Sequence, residues 1–197
     1  MDMGILDSLG SVVREADLRL ACELHGWSQG VCAGAIVALT WIGSGWSALA
    51  LLPLARHRRT REFARRLLGA LAAQAVLVWA IKGGTARVRP WIALGWPAPL
   101  WAPHDGSFPS GHSAGSFCVA AFLLVWPPAS DAARGIAKRI PGITAAAIAA
   151  LVAVSRVAAG AHFPSDVVAG AIVGLLVGAL AARRRAFGVE ARGESRY

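Results

Sequence analysis

Cysteine is scarce in this chain. The three cysteines, Cys22, Cys32 and Cys118, form no CxxC pair and no spacing typical of a metal site. This argues against a disulfide framework and against a structural zinc ion, and we expect the thiols to serve as small buried apolar groups. We therefore predict no metal and no other cofactor.

Charge is also sparse, and negative charge most of all. Of the 197 residues only 16% are charged, with 11 acidic side chains against 20 Lys and Arg, while 56% are hydrophobic. This composition is too apolar for an ordinary soluble domain and indicates a membrane protein. The net charge of +9 is also found in nucleic-acid-binding proteins, but the basic residues cluster between apolar runs. We interpret them as an orientation signal and predict no nucleic-acid partner.

The first 27 residues lack the pattern of a cleavable signal peptide, because no basic segment precedes an uninterrupted apolar core. Apolar residues instead recur at helical spacing, interspersed with charged ones. We predict that residues 1–27 form an amphipathic helix at the membrane interface. A sixth, poorly hydrophobic span is the alternative.

Five apolar segments are predicted to cross the bilayer as helices, since roughly 20 residues span the hydrocarbon core of about 30 Å. They cover about residues 31–54, 67–81, 112–126, 141–154 and 164–182. The predicted fold is therefore all-α, an integral-membrane bundle of five transmembrane helices plus the N-terminal amphipathic helix. Six transmembrane helices are the alternative.

Basic residues divide the loops into two groups. Segments 55–66 and 127–140 and the chain after residue 182 are Arg-rich and alternate onto one side, which the positive-inside rule assigns to the cytoplasm. Loops 82–111 and 156–163 then face outward.

These assignments predict a multi-pass protein of the cell inner membrane. Its domains are the N-terminal helix, a membrane domain over residues 28–185 and a cytoplasmic tail over residues 186–197. In the last span Gly170, Gly174 and Gly178 recur every four residues, and alanine is frequent in the fourth. Small residues let helix backbones approach closely, so we predict helix packing here rather than chemistry.

Three polar blocks fall on the predicted outer side. They read KGGTARVRP over 82–90, FPSGHS over 108–113 and SRVAAGAHFPSD over 155–166. Taken singly, each has a plain explanation, as interfacial anchors, a helix N-cap or a polar rim. Their convergence on one side, where polar groups are costly to keep, favours a functional site.

The residue types in these blocks suit the transfer of a phosphoryl group. Lys82, Arg89 and Arg156 can neutralise its non-bridging oxygens. The N–H groups near Ser110 and Gly111, at the start of a helix, can complete the cradle.

Two histidines offer two roles in such a transfer. His162 can attack phosphorus when it is neutral, and Asp166, in the first turn of the next helix, can bond to its other ring nitrogen. His112 is then free to protonate the leaving oxygen and later to activate water. This chemistry needs no metal.

The three blocks together resemble the signature of the type 2 phosphatidic acid phosphatase (PAP2) superfamily. Six residues separate Lys82 from Arg89-Pro90, and PSGH follows at 109–112. Five residues separate Ser155-Arg156 from His162, and three more separate His162 from Asp166. The resemblance covers about residues 31–182. Soluble vanadate-dependent haloperoxidases carry similar blocks, but five apolar spans argue against that branch.

The resemblance implies a metal-independent phosphatase that works through a phosphohistidine intermediate. His162 would be the nucleophile, Asp166 its partner and His112 the acid and base. The implied phosphate pocket consists of Lys82, Arg89, Ser110, Gly111 and Arg156.

Compact bacterial members of this superfamily act on undecaprenyl diphosphate, phosphatidylglycerophosphate, phosphatidic acid or related lipids. A pocket at the outer interface suits such a lipid, whose tail stays in the bilayer while its head group reaches the cations. We favour a polyprenyl diphosphate, because the chain is short and has no large outer domain. A membrane protein that only binds lipid phosphate is the alternative of another class, and the two histidines disfavour it.

The loop between the first two blocks carries aromatic and polar residues. We interpret Trp91, Trp96 and Trp101 as interfacial anchors, or as a lip over the lipid head group. His104 and Asp105 are interpreted as solvated loop residues.

Overall fold

The computed structural model describes residues 3–28, 33–43, 49, 51–99, 105–126 and 139–190. Every regular element within these ranges is a helix, so the predicted all-α class is confirmed for this part of the chain. In chain order the helices are α1 (Met3–Ser28), α2 (Ala33–Ile42), α3 (Leu52–Arg56), α4 (Arg61–Thr85), α5 (Pro90–Ala93), α6 (Gly111–Val125), α7 (Ile140–Ala158) and α8 (Pro164–Glu190).

Among the described residues, three stretches are long and apolar enough to cross a membrane: Arg61–Ala93, Ile140–Ala158 and Pro164–Arg183. Helix α6 is also apolar but has only 15 residues. Large apolar side chains on these helices remain exposed, among them Trp79 at 76% and Leu176 at 59%. Such faces suit hydrocarbon rather than water.

Helix α4 is longer than the span predicted over residues 67–81. It begins at Arg61, in a charged turn where Glu62 and Arg66 form an ion pair of 2.5 Å. It continues through the two glycines after Lys82 and ends at Thr85. Charged residues therefore extend this helix at its N-terminal end, and glycines extend it at its C-terminal end. Both groups lie outside the apolar segment from which the span was predicted.

The first predicted span, over residues 31–54, is not one continuous helix in the described residues. Helix α2 ends at Ile42 and α3 begins at Leu52, and residues 44–48 and 50 lie outside the described ranges. The predicted count of five transmembrane helices is therefore not confirmed.

The last two spans also extend beyond their predicted ends. Helix α7 continues to Ala158, and α8 continues to Glu190, inside the predicted tail. Residues 127–138 of the predicted basic loop and residues 191–197 of the tail lie outside the described part of the chain.

Helices α6 and α8 form the centre of the bundle. A Cβ atom at Gly170, Gly174 or Gly178 would lie within 2.3 Å of a backbone carbonyl oxygen of α6 or of Ser110 just before it. Only glycine permits this approach. The predicted close packing is present, but the partner of the glycines is α6 and not the alanine-rich fourth span.

Helix α1 packs on α7 and α8 near the start of α8. Its Ala21 is fully buried against Val157, Phe163 and Val167. Large apolar residues elsewhere on α1 stay exposed, such as Val12 at 59%. The helix over residues 3–28 agrees with the predicted extent of 1–27, and its place at the membrane interface remains a prediction.

Candidate active site

Four helix ends meet at one end of the bundle. The C-terminal ends of α4 and α7 lie beside the N-terminal ends of α6 and α8, because successive long helices run antiparallel. The chain thereby brings its three polar blocks together: Ser110 N–H donates to the carbonyl oxygen of Asp166 at 2.9 Å, and Arg89 Nη1 lies 3.3 Å from His162 Nε2. We call this region the polar end.

His162 is almost fully buried, in the short loop between α7 and α8. Its Nδ1 lies 2.7 Å from the carbonyl oxygen of Ser107, which can only accept a hydrogen bond. The proton therefore sits on Nδ1, and Nε2 keeps a lone pair directed towards Arg89. Burial lowers the pKa of His162 to about 4, and the charges of Arg89 and Arg156 act in the same direction while Asp166 opposes them. The imidazole is neutral at ordinary pH.

Asp166 is fully buried but does not bond directly to His162, since Oδ2 lies 3.8 Å from Nδ1. Its Oδ2 accepts hydrogen bonds from Phe163 N–H at 2.8 Å and from the hydroxyl of Ser107. Its Oδ1 accepts one from Arg87 at 2.6 Å. The expected direct contact is thus replaced by Ser107, whose hydroxyl binds the carboxylate and whose carbonyl binds the imidazole.

Lys82 and Arg89 share one carboxylate, that of Asp105, at 3.0 Å and 2.6 Å. Hydrogen bonds and charge from these two cations outweigh the opposing effect of burial and hold the pKa of Asp105 below its usual value. Asp105 is an exposed loop residue, as expected, with 54% of its side chain exposed, but its ion pairs with these two cations were not predicted. The Asp105 carboxylate forms ion pairs with the two cations that we predict to bind phosphate.

Arg156 differs from these two cations. It is 3% exposed, its Nη1 donates to Thr40 at 2.9 Å, and its Nε has no hydrogen-bond partner in the part of the chain that the structure describes. Within the described ranges no carboxylate forms an ion pair with it. His112 lies close enough for the charges of Arg156, Arg89 and Lys82 to act on its imidazole. A buried guanidinium without a carboxylate is a ready partner for an anion.

Ser110 is the N-cap of α6, and its hydroxyl accepts from Ser113 N–H at 3.4 Å. The next two N–H groups, of Gly111 and His112, donate no hydrogen bond to any described residue outside their helix. First-turn donors of this kind, together with the helix dipole, favour an anion. The eight predicted site residues thus lie at the same end of the bundle, where they supply three cations, helix-end donors, two imidazoles and the buried carboxylate of Asp166.

The sequence from residue 63 to 187 matches the profile of the PAP2 superfamily. The chain belongs to this superfamily. The match includes most of α4 and α8, all of α5 to α7 and the loops between them. The matched region contains every residue of the polar end except those of α1 and α2.

Two curated PAP2 relatives have similar sequences. Phosphatidylglycerophosphatase B of Bacillus subtilis is 40% identical over 101 residues, which are 49% of this chain and 45% of that protein. The chain thus matches about half the length of that relative. Decaprenylphosphoryl-5-phosphoribose phosphatase of Mycobacterium tuberculosis is 36% identical over 140 residues, 69% of either chain.

Two solved structures share the fold. The transmembrane PAP2-type phosphatidylglycerolphosphate phosphatase from Bacillus subtilis has a TM-score of 0.73 at 29% identity, covering 94% of this chain and 90% of its own. LpxE of Aquifex aeolicus has a TM-score of 0.67 at 26% identity, covering 83% and 93%. The PAP2 resemblance read from the three blocks is confirmed, and the chain is a membrane protein.

Sequence reasoning missed four residues of this PAP2 polar end: Asp17, Arg87, Ser107 and Asp105. Each acts through a partner distant in sequence, for example Asp17 and Ser165, which are 148 positions apart. A signal was present for Asp17, since it precedes Ala21 and Leu24 at helical spacing on the buried face of α1. Trp96, interpreted as an anchor or lip, instead stacks on His25 of α1 at 3.9 Å. Trp101 and His104 lie outside the described residues.

Proposed function

We propose that this protein is an integral-membrane lipid phosphatase that works through a phosphohistidine intermediate on His162. The observation that carries the proposal is the state of that imidazole: Nδ1 is bonded to Ser107 and Nε2 faces the cations. A neutral imidazole with one free nitrogen is a competent nucleophile. No proton has to leave it before attack.

The reaction proceeds in two steps. Nε2 of His162 attacks phosphorus while the bond from phosphorus to the lipid oxygen breaks, and His112 donates a proton to that oxygen. Lys82, Arg89 and Arg156 neutralise the phosphoryl oxygens together with the N–H groups at Gly111. Water, losing a proton to His112, then attacks the phosphohistidine, which releases inorganic phosphate and restores both histidines.

An apolar cavity supports a lipid substrate. It has a volume of about 560 Å³ and extends from Gly111, at the polar end, between α4, α6 and α7 to Leu67. Its lining is almost wholly apolar, which suits a hydrocarbon tail whose phosphate lies at Gly111. The two curated relatives are named for lipid phosphomonoesters, so we propose a phosphomonoester as the leading substrate and a polyprenyl diphosphate, such as undecaprenyl diphosphate, as the second.

The basic segment before α4 supports the orientation. Arg56, Arg58, Arg59 and Arg61 lie at the opposite end of α4 from Lys82. By the positive-inside rule this charge distribution supports our proposal that the polar end faces the extracytoplasmic side of the inner membrane.

Phosphate release by the purified protein tests the function. The protein in detergent with EDTA is given phosphatidylglycerophosphate, phosphatidic acid or a polyprenyl diphosphate, with and without orthovanadate. We expect release from at least one lipid, inhibited by orthovanadate, which imitates five-coordinate phosphorus. Binding of the lipids without release from any of them would instead indicate a lipid-phosphate-binding protein.

A further inference from the structure

The N-terminal helix reaches the polar end through one buried carboxylate. Asp17 of α1 is 3% exposed and accepts three hydrogen bonds from outside its helix. The donors are Arg87 Nη2 at 2.7 Å, Ser165 N–H at 2.8 Å and the Ser165 hydroxyl at 2.6 Å. We propose that Asp17 is a positioning residue for the phosphatase reaction, acting through Arg87 and Ser165 on Asp166.

Arg87 connects the two carboxylates. Its Nη2 binds Asp17, and its Nη1 donates to Asp166 Oδ1 at 2.6 Å and to the Ser165 hydroxyl at 2.7 Å. Its guanidinium also lies 4.4 Å above the ring of Phe163. The planar guanidinium is thereby held from three sides, and it fixes the carboxylate of Asp166 in one orientation.

The orientation of Asp166 is passed on to the nucleophile. Oδ2 binds the hydroxyl of Ser107, and the carbonyl oxygen of Ser107 accepts from Nδ1 of His162 at 2.7 Å. Five residues thus form one chain of hydrogen bonds, with one residue from α1, one from α8 and one from each of three loops. Asp17 is at the end of this chain opposite His162. Removing the charge of Asp17 frees Arg87 to turn towards Asp166 alone or towards solvent.

Asp17 also caps α8 from a different helix. The N–H of Ser165 is one of the first-turn donors that a helix leaves unpaired, and a carboxylate there is favoured by the helix dipole. His162 lies just before this first turn and Asp166 lies within it, so the geometry of the turn sets the distance between them.

Docking of α1 alone does not require an acid at this position. Ala21 and Leu24 pack on the same face of α1 against the cluster of Val157 and Phe163. An apolar residue at 17 would extend that contact, whereas a buried carboxylate is costly unless it is paired. Position 17 also precedes the region matched by the PAP2 profile, which starts at residue 63.

Steady-state kinetics on the best lipid of the panel test the proposal, which rests on the proposed function. Asp17→Asn keeps the shape and removes the charge, and we expect kcat to fall about 10- to 100-fold with KM within about twofold. Asp17→Glu should recover part of the loss. The matched control is Glu15→Gln on the same helix. The Glu15 side chain is 63% exposed and, among the described residues, pairs with Arg19 alone, so this variant should retain wild-type kcat.

A double-mutant cycle separates positioning from docking. In an Arg87→Gln background, Asp17→Asn should lower kcat less than about twofold further, because the relay is already broken. Wild-type kcat in Asp17→Asn, an effect on KM alone, or full additivity with Arg87→Gln would overturn the proposal.

A second measurement needs no turnover. The chain has five histidines, so ¹⁵N-histidine labelling gives few imidazole signals, and His162→Gln assigns that of His162. Asp17→Asn should shift or broaden this signal, and Glu15→Gln should not. If the wild-type protein releases phosphate from no lipid, the proposed function fails, and an unchanged His162 signal in Asp17→Asn then overturns the positioning role by itself.

Discussion

Two arginines at the polar end, Arg87 and Arg156, have opposite surroundings. Arg87 is part of two ion pairs, with Asp17 and Asp166, although about a third of its side chain is exposed. Arg156 is far more buried, yet no carboxylate among the described residues pairs with it, and its Nε lacks any partner.

The difference distinguishes a structural cation from a binding cation. A charge that is already neutralised by two carboxylates holds those groups in place and has little affinity left for an anion. A buried charge without a carboxylate costs stability and is stabilised only when an anion arrives. Arg156 lies six positions before His162 in sequence, and Arg87 binds Asp166, four positions after His162. Substitution of each arginine therefore compares the two cations at the same site.

The largest effect is expected from substitution of His162. His162→Ala removes the proposed nucleophile and should lower phosphate release by several orders of magnitude. Thermal melting in detergent should show a folded protein. Retention of more than about a hundredth of the wild-type rate would place the nucleophile elsewhere.

Substitution of each arginine should give opposite patterns. Arg156→Ala should weaken inhibition by orthovanadate and lower kcat/KM by about 10² to 10³, with melting temperature unchanged or higher. Arg87→Ala leaves Asp17 and Asp166 unpaired and should destabilise the protein by roughly 3–5 kcal/mol. Equal loss of stability in the two variants would contradict the distinction between them.

A smaller effect is expected at Asp105, which gives Lys82 and Arg89 a carboxylate that Arg156 lacks. Asp105→Asn removes the competing negative charge, and inorganic phosphate should then inhibit several-fold more strongly. The inhibition constant of phosphate measures this change. Glu23→Gln, an exposed acid on α1, is the control and should leave that constant as in the wild type.

A change of pH is expected to alter the stability of the fold. The pKa of His162 is about 4 in the folded protein against 6.5 for the free side chain, so between these values the unfolded chain binds the extra proton. Stability should be fully present above pH 6.5 and fall as pH drops towards 4, by up to roughly 3 kcal/mol. Melting temperatures at pH 7 and 5 check this. His162→Gln should show a shallower dependence, and an equal slope would assign the titration to other groups.

The polar blocks were predictable from sequence because each has a local pattern. Lys82 and Arg89 follow an apolar run, Ser110 and Gly111 start a helix, and Arg156 and His162 are a few residues apart. Topology then placed all three blocks on one side, and the structure brings them together.

The groups that hold these residues in place were not predictable in the same way. Ser107 is one polar residue in a loop, and only its contacts with His162 and Asp166 give it a role. The boundaries of α4 were also missed, since an apolar window cannot include the Arg-rich first turn that an ion pair stabilises. The predicted direct contact of Asp166 with His162 followed from sequence proximity alone.

The glycine contacts between α6 and α8 restrict how a lipid can arrive. Two backbones that touch at Gly170, Gly174 and Gly178 leave no gap for a hydrocarbon chain to pass between them. A molecule diffusing in the bilayer therefore cannot enter between α6 and α8, whereas α4, α6 and α7 border the 560 Å³ cavity. The same contact between α6 and α8 keeps His112 of α6 at a fixed separation from the loop that carries His162 while each substrate passes.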